Sequence, residues 1–180
     1  MKHKKVIIVS IIILLVCIIL GKFYSDYSKK YDKVSLSYSG IVFGEDSAPI
    51  KIYLFTSFSC SKCKELNDQL SDTIKSKVEN NEVQLIYKIT DDYAFNWSNE
   101  MLYNYDFITS SYETWSKYAN ENDLDTLSSD EIEKRDEMKK KIKSEIERYN
   151  ISVMPVLYIN GDKYSGIYTK DEFETIISKY

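Results

Sequence analysis

Cys60 and Cys63 are the residues whose type and spacing most directly indicate chemistry. They follow an apolar run, Lys51 to Phe58, and they begin an amphipathic pattern, so a strand is expected to lead into a helix that carries both thiols in its first turn. Two thiols in one helical turn could exchange disulfides with a partner, bind a metal ion, or form a static disulfide. The remaining sequence discriminates among these three chemistries.

The chain lacks the side chains that a metal site would need beside the two thiols. Its sole histidine is His3, and its third cysteine, Cys17, lies in an N-terminal apolar stretch. A structural zinc ion needs about four ligands, so no metal is predicted, and no other cofactor is indicated. A static disulfide is disfavoured because closing so short a loop removes little entropy from the unfolded chain. Thiol-disulfide exchange is therefore the favoured chemistry.

The two thiols are expected to differ in role. Cys60 falls at the helix start, where unpaired backbone N–H groups and the positive end of the helix dipole favour a thiolate, so it is predicted to be the nucleophile. Cys63 falls on the buried stripe of the helix and is predicted to be the resolving thiol. Ser61 and Lys62 lie between them and are candidates for tuning reactivity, although Lys62 is equally well interpreted as a solvated side chain. The buried stripe continues through Leu66, Leu70 and Ile74.

Apolar and turn-forming patterns predict the elements around the thiols. Ile50 to Phe55 and Val83 to Ile89 are expected to be buried strands, joined in parallel by a right-handed helical crossover. Val156 to Ile159 and Asp162 to Tyr168 flank an Asn-Gly pair, which predicts an antiparallel hairpin with a type I′ turn. A capping box, Thr169 to Glu172, begins a last helix. The apolar stripe of this last helix contains Phe173, Ile176, Ile177 and Tyr180.

A helical insertion is predicted between these two halves, from Ala94 to Asn150. A capping box at Ser128 to Glu131 begins its charged helix, Ser129 to Tyr149, whose apolar stripe is narrow. The insertion is therefore expected to pack on the core by one face. Its tryptophans, Trp97 and Trp115, are expected to be core residues rather than a substrate groove. The stripe of the charged helix contains Ile132, Met138, Ile142 and Ile146.

The N-terminus carries a membrane-targeting pattern. Residues Val6 to Gly21 contain no charge and follow a lysine-rich segment, Met1 to Lys5. At about 1.5 Å per residue the apolar stretch reaches ~24 Å, which is close to the thickness of a bilayer core. A cleaved signal peptide is the alternative, but no Ala-x-Ala-like site follows, so a retained signal-anchor is favoured. The lysines predict a single-pass protein of the cell membrane, with its N-terminus in the cytoplasm and the remainder outside.

The chain is thus predicted to have three segments. Residues 1–21 form a cytoplasmic stub and transmembrane signal-anchor, residues 22–39 form a polar tether, and residues 40–180 form the folded domain with its insertion at about 94–150. Without the three lysines that precede the apolar stretch, the 24 basic residues become 21 against 28 acidic ones, a formal charge of −7. Binding to nucleic acid is therefore not expected.

The order of elements and the thiol pair together resemble the DsbA-like thiol-disulfide oxidoreductases of the thioredoxin-fold superfamily. The similarity is carried by Gly44 to Ile50 before the first strand, by Phe58 to Cys63, and by Met154-Pro155 ahead of the hairpin. It implies an α/β, thioredoxin-like fold in the order βαβ, helical insertion, ββα, preceded here by the transmembrane helix. It also implies that Pro155 is a cis-proline and that Met154 and Pro155 form the second wall of a site for an extended substrate segment.

Two features depart from the family pattern. Leu54 occupies the position, six residues before Cys60, at which thioredoxin and DsbA have a buried acidic residue. Proton transfer at the buried thiol is therefore expected to differ, through Lys62, Glu65 or water. The dipeptide Ser61-Lys62 also differs from the Gly-Pro of thioredoxins and the Pro-His of many DsbA proteins, so the resemblance does not imply a reduction potential.

The resemblance implies an extracytoplasmic, membrane-anchored oxidoreductase that exchanges disulfides with exported proteins through the redox-active pair Cys60 and Cys63. The oxidase direction is favoured because stabilising the Cys60 thiolate also stabilises the reduced form. The alternatives are a reductase, and a thioredoxin-fold accessory or binding module with little turnover. The implied partners are exported proteins with cysteines, a membrane or small-molecule redox partner, and the membrane itself through the anchor.

Overall fold

The computed structural model describes residues 16–22, 34–110, 115, 117–118 and 120–180. The chain divides into two compact units, Met1–Val34 and Ser35–Tyr180. In the first unit, residues 16–22 are helical and exposed. Most of the predicted signal-anchor and of the predicted tether lies outside the described residues. Within the described residues, no helix combines the length and the apolar content that crossing a membrane requires.

The second unit contains one five-stranded sheet, whose strands are β1 (Ile41–Phe43), β2 (Ile50–Thr56), β3 (Val83–Ile89), β4 (Val156–Ile159) and β5 (Asp162–Ser165). Their spatial order is β1-β3-β2-β4-β5. Strands β2 and β3 are parallel, as predicted, and the other neighbouring pairs are antiparallel. Both parallel strands thus lie in the interior of the sheet, where nearly all of their residues are buried.

The helices described in this unit are α1 (Ser61–Glu79), α2 (Asn99–Leu102), α3 (Tyr105–Ile108), α4 (Ser129–Arg148) and α5 (Lys170–Ile177). Short 3₁₀ segments occupy Asp92–Asn96 and Leu124–Thr126. Helix α1 is the crossover between the two parallel strands, and it packs on β3 and on α5. Its predicted apolar stripe is buried, and one polar residue of the same stripe, Asn67, is buried with it.

The hairpin β4-β5 has the turn that its Asn-Gly pair predicts. Asn160 and Gly161 have φ angles of 47° and 90°, as a type I′ turn requires. Ile159 pairs with Asp162 across the turn. The following helix, α5, begins at the predicted capping box of Thr169 and buries its apolar stripe against the core. The hairpin lies beside β2, because its first strand, β4, pairs with β2.

The helical insertion is also present, and its longest helix, α4, begins at the predicted capping box of Ser128. Trp97 and Trp115 are buried core residues, as predicted, and both pack beside Phe58. The stripe of α4 differs from the prediction because its most buried positions include Arg135 and Glu145. The Arg135 guanidinium donates to the carbonyls of Phe95 and Trp97, so it ties α4 to the segment after β3.

Residues 35–39 belong to the folded unit, although the sequence pattern predicts that the domain begins at residue 40. The buried ammonium of Lys88 on β3 donates to the carbonyl oxygens of Ser37 and Ser39 at 2.9 and 2.7 Å. It also lies 2.6 Å from a carboxylate oxygen of Glu145, whose other oxygen accepts the Ser37 N–H at 2.7 Å. The buried ion pair of Lys88 and Glu145 therefore holds residues 37–39 against the sheet through hydrogen bonds.

Candidate active site

The N-terminus of helix α1 positions the first thiol. Cys60 is the N-cap residue, with extended backbone angles of φ −104° and ψ 115°, and its sulfur accepts the backbone N–H of Cys63 at 3.4 Å. A sulfur in this position faces the end of the helix where N–H groups lack carbonyl partners. This arrangement stabilises negative charge on the Cys60 sulfur by a direct hydrogen bond as well as by the helix dipole.

The second thiol lies one helical turn further along and below the surface. Cys63 is 1% exposed, whereas Cys60 is partly exposed. Burial raises the pKa of the Cys63 thiol to about 12, against opposing interactions with the Ser57 backbone and the Thr56 hydroxyl. Cys63 is therefore a protonated thiol at neutral pH, and solvent reaches the pair through Cys60 alone.

Met154 and Pro155 form a second wall beside Cys60. The peptide bond between them is cis, in agreement with the prediction. The Cys60 thiol donates to the Met154 carbonyl at 3.7 Å, and the Thr90 hydroxyl donates to the Met154 sulfur at 3.6 Å. The preceding residue, Val153, exposes 62% of its surface. The first thiol therefore faces a backbone carbonyl, and an exposed apolar residue precedes that carbonyl in the chain.

The tuning residues proposed from the sequence lie on the outside of the helix. Ser61 and Lys62 are exposed, and Glu65 is exposed one turn further along. Cys63 is buried on the opposite side of the same turn. Ser61 and Lys62 therefore lie near the solvent approach to Cys60, and their influence on reactivity stays a prediction. The structure does not bring Lys62 or Glu65 to the buried thiol.

Asp91 is a site residue that no sequence pattern had predicted. Its carboxylate accepts the Phe58 N–H at 2.7 Å and the hydroxyls of Ser57 and Ser59 at 3.1 and 2.9 Å. These three bonds hold the loop 57–59 that leads from β2 to Cys60. The sequence did contain one indication of this role. Asp91 follows strand β3 closely, and side chains that follow parallel strands meet at one edge of a sheet.

Replacing Asp91 by Ala is expected to destabilise the fold by about 1–3 kcal/mol, because the part-buried Phe58 N–H loses a charged acceptor. The exchange rate at Cys60 should fall as well, since the loop that positions its sulfur loosens. Urea unfolding and alkylation kinetics measure the two effects. Asp92→Ala is the matched control: its carboxylate makes an exposed ion pair with Lys143, so stability should stay nearly unchanged. Equal effects of the two variants would contradict the role of Asp91.

A second missed set consists of three buried polar residues below Cys63. They are Thr56 at the end of β2, Asn67 on α1, and Tyr87 on β3. The Asn67 amide donates to the Tyr87 hydroxyl at 2.9 Å, and that hydroxyl donates to the Ile108 carbonyl at 3.3 Å. The one local signal for this set was a spacing. Asn67 follows Cys63 by four residues, and residues four apart share a helix face.

Metal chemistry has no support in the side chains around the thiols. Within the described part of the chain, no group of three His, Cys, Asp or Glu residues could hold a metal ion. The arrangement instead offers one accessible sulfur, one buried sulfur in the next turn, and a backbone carbonyl facing the accessible one. Such a pair can form and break a disulfide with an outside thiol.

Comparison with known proteins identifies one matching family and several solved structures with a similar fold. The model of a family described as thioredoxin matches residues 37–179. The thiol-disulfide exchange protein α-DsbA2 from Wolbachia pipientis has a TM-score of 0.58 and 14% identity, over 86% of this chain and 94% of that one. The α-DsbA1 of the same organism has a TM-score of 0.56 and 18% identity, over 77% and 89%.

A third solved structure, oxidised BdbD from Bacillus subtilis, has a TM-score of 0.55 and 18% identity, over 78% of this chain and 92% of that one. Identities this low establish a shared fold and nothing finer. No curated protein matches the sequence. The predicted α/β, thioredoxin-like fold is therefore confirmed, and the structure adds the short strand β1 before the βαβ unit.

Proposed function

Because this chain belongs to the thioredoxin family, we propose that it is a thiol-disulfide oxidoreductase that acts through Cys60 and Cys63. The observation that carries the proposal is the asymmetry of the two thiols. Cys60 caps helix α1 with its sulfur partly exposed, and Cys63 lies buried one turn away. A static structural cysteine pair has no need for one accessible sulfur that accepts a backbone N–H.

The proposed reaction takes place in two exchange steps. A substrate thiolate attacks Cys60 of the oxidised pair, the bond between the two sulfurs breaks, and Cys63 leaves with the electron pair. The mixed disulfide on Cys60 is then resolved by a second substrate thiol, which releases oxidised substrate and reduced enzyme. In the opposite direction, Cys60 attacks a substrate disulfide and Cys63 resolves the intermediate.

The substrates are proposed to be polypeptides that carry cysteines in an extended segment. The Met154 carbonyl lies at the Cys60 sulfur, and the exposed Val153 precedes Met154, so this segment offers a hydrogen-bond acceptor and an apolar side chain. An extended backbone can pair with such an edge as a short added strand. Side chains of the substrate would then contribute little, so many sequences would be accepted.

The oxidase direction is the favoured one. The Cys63 N–H and the dipole of α1 stabilise a thiolate at Cys60, and a stabilised reduced form makes the disulfide a stronger oxidant. A membrane or small-molecule redox partner would then reoxidise the pair. Measuring the reduction potential against glutathione distinguishes oxidase from reductase.

The compartment is proposed to be the outer side of the cell membrane. The support comes from the sequence, in which Met1 to Lys5 and the uncharged stretch Val6 to Gly21 have the composition of a signal-anchor. Outside the cytoplasm, exported proteins acquire disulfides, which gives the thiol pair substrates. Carbonate extraction of membranes and protease protection of the full chain test this placement.

Cys63→Ser is expected to trap substrate proteins on Cys60. Without the resolving thiol, a mixed disulfide formed at Cys60 persists and survives non-reducing electrophoresis. Mass spectrometry should identify defined cysteine-containing exported proteins, released by dithiothreitol. The double variant Cys60→Ser/Cys63→Ser should give no such adducts. A complete absence of adducts on the single variant would reject the enzyme and favour a binding module.

A further inference from the structure

The loop before Cys60 has one buried side chain, the ring of Phe58. Ser57 is half-buried and Ser59 is exposed, whereas Phe58 is buried between them. The Cys60 N–H donates to the Ser57 carbonyl at 3.2 Å, so the turn that contains Phe58 closes directly on the first thiol residue. A shift of the Phe58 ring would therefore shift Cys60 as well.

Two tryptophans of the helical insertion pack against the Phe58 ring. The centroid of the Trp115 ring lies 4.6 Å from that of Phe58, with an angle of 42° between the two planes. The centroid of the Trp97 ring lies 5.2 Å from it, with an angle of 28°. Both tryptophans are buried, and ring pairs at such distances attract each other beyond what buried area alone contributes. The insertion therefore contacts the active-site loop through these two rings.

Hydrogen bonds within the insertion hold the two tryptophan rings in their orientations. The Trp97 Nε1–H donates to the Tyr118 carbonyl at 2.7 Å, and the Trp115 Nε1–H donates to the Phe107 carbonyl at 3.1 Å. A buried N–H that turned away from its acceptor would lose that bond, so the rings resist rotation. The insertion thus presents an oriented aromatic surface to the loop.

We propose that Phe58 is a positioning residue for Cys60, held by the two tryptophans of the insertion, and that this contact sets the redox equilibrium of the thiol pair. The inference rests on the proposed function, since it concerns the same exchange reaction. It gives the helical insertion a role in that reaction in addition to its share of the core.

The contact acts on the reduced form of the pair. In the structure both thiols are free, and the Cys60 sulfur accepts the Cys63 N–H at 3.4 Å at the start of α1. A disulfide sulfur carries no charge and accepts hydrogen bonds weakly, so this bond stabilises the reduced form more than the disulfide. A loop that no longer holds Cys60 in place weakens the bond, and the disulfide then becomes a weaker oxidant.

The polar restraint on this loop is separate from the aromatic one. The Asp91 carboxylate accepts the Phe58 backbone N–H at 2.7 Å, and a different side chain at position 58 leaves that N–H in place. Substitutions of the ring therefore change the aromatic contact while the bond to Asp91 remains available.

Phe58→Leu in the full chain keeps an apolar side chain in the loop but removes the ring. In equilibrium with glutathione, two glutathione thiols become one glutathione disulfide, and the disulfide of the pair takes up their two electrons and two protons to become two thiols. The equilibrium constant of this reaction should fall by about tenfold, which is about 30 mV for a two-electron couple. The fractions of oxidised and reduced chain, separated after acid quenching and alkylation, measure it.

Trp115→Leu tests the insertion side of the contact, because Phe58 itself stays. The equilibrium constant should fall in the same direction by about threefold. The double variant Phe58→Leu/Trp115→Leu should lie near the tenfold fall of Phe58→Leu alone, since residues in contact do not have additive effects. Trp115→Phe, which retains a ring at this place, should stay close to the wild-type value.

Phe173→Leu is the matched control. Phe173 is as deeply buried as Phe58, and it lies on α5 beside Glu174, whose carboxylate pairs with Lys77 in the last turn of α1. This change should destabilise the oxidised and the reduced chain alike, because it removes core packing away from the thiols. The equilibrium constant compares the two forms, so it should keep the wild-type value.

Each outcome either supports or overturns the inference. Lower equilibrium constants in Phe58→Leu and Trp115→Leu, with the wild-type value in Phe173→Leu, support it. Values at or above the wild type in either ring variant, an equal fall in Phe173→Leu, or fully additive effects in the double variant overturn it while the proposed function stands.

If Phe58→Leu fails to fold, the comparison of Trp115→Leu with Phe173→Leu decides the question. If the wild-type chain itself exchanges no disulfide with glutathione, the proposed function fails, and this inference fails with it.

Discussion

Replacement of Cys60 by Ala is expected to lower the rate of disulfide exchange by on the order of a thousandfold or more, because it removes the attacking sulfur. The other thiol of the site cannot take over this role. Cys63 is 1% exposed, and burial raises its pKa to about 12, so it is protonated and shielded at neutral pH. Stopped-flow oxidation of a two-cysteine peptide in glutathione buffer measures the loss.

Two further substitutions give this experiment its controls. Cys17→Ala makes the same change at an exposed cysteine of the first unit, and it should leave the rate unchanged. Cys63→Ala should stop turnover, yet Cys60 should still react with iodoacetamide. A Cys60→Ala protein that keeps more than about a tenth of the wild-type rate would contradict the assigned roles.

Local patterns predicted the frame that carries the two thiols. The step of three or four residues that places Cys63 on the buried stripe belongs to one helix, and the Asn-Gly turn belongs to one hairpin. Elements of this kind are determined by neighbours in sequence, so periodicity and turn chemistry suffice to find them. The crossover and the turn also predicted the parallel pair and the hairpin, and the family resemblance then supplied the cis bond before Pro155.

The polar cluster below Cys63 was not predicted, because its residues look ordinary in their own elements. A threonine and a tyrosine are common in strands, and one asparagine on a helix carries little information. Tyr87 meets Asn67 only when β3 takes its register beside β2 and α1 crosses over both. The hydrogen bond between them is a property of the assembled layers, which a sequence pattern of one element does not contain.

The boundary of the folded unit escaped prediction for a related reason. Residues 35–39 have no apolar period, and they join the sheet through hydrogen bonds to Lys88 and Glu145. A lysine in the apolar strand Val83–Ile89 was a visible anomaly, since a buried ammonium needs a paired carboxylate and further acceptors. Its carboxylate is 57 residues away on α4, beyond the reach of local reasoning.

The two faces of β3 therefore serve different tasks. Tyr87 points toward α1, where its hydroxyl accepts from the Asn67 amide. Lys88 points toward α4, where the rings of Tyr53 and Phe55 lie 5.5 and 5.6 Å from its ammonium. Because alternate strand residues point to opposite faces, substitutions at these adjacent positions of β3 act on different layers of the domain.

Lys88→Met is expected to destabilise the fold by about 3–5 kcal/mol, because it leaves the Glu145 carboxylate buried without its cation. The Lys88 side chain is 0% exposed and the Glu145 side chain 9%, so water cannot replace the lost partner. The carbonyls of Ser37 and Ser39 lose a donor as well. Urea unfolding followed by tryptophan fluorescence measures the change.

The double variant Lys88→Met/Glu145→Leu should recover part of this loss, since an apolar pair can replace a buried ion pair of similar volume. Recovery should be incomplete, because the Ser37 N–H also loses the carboxylate that it now contacts. Lys75→Met removes an exposed ion pair with Asp106 and should leave stability nearly unchanged.

In the folded fraction of Lys88→Met, alkylation at Cys60 should proceed at the wild-type rate, since the thiols lie on the other face of the sheet. A variant that unfolds no more easily than Lys75→Met would show that the buried pair does not fasten residues 35–39 to the domain.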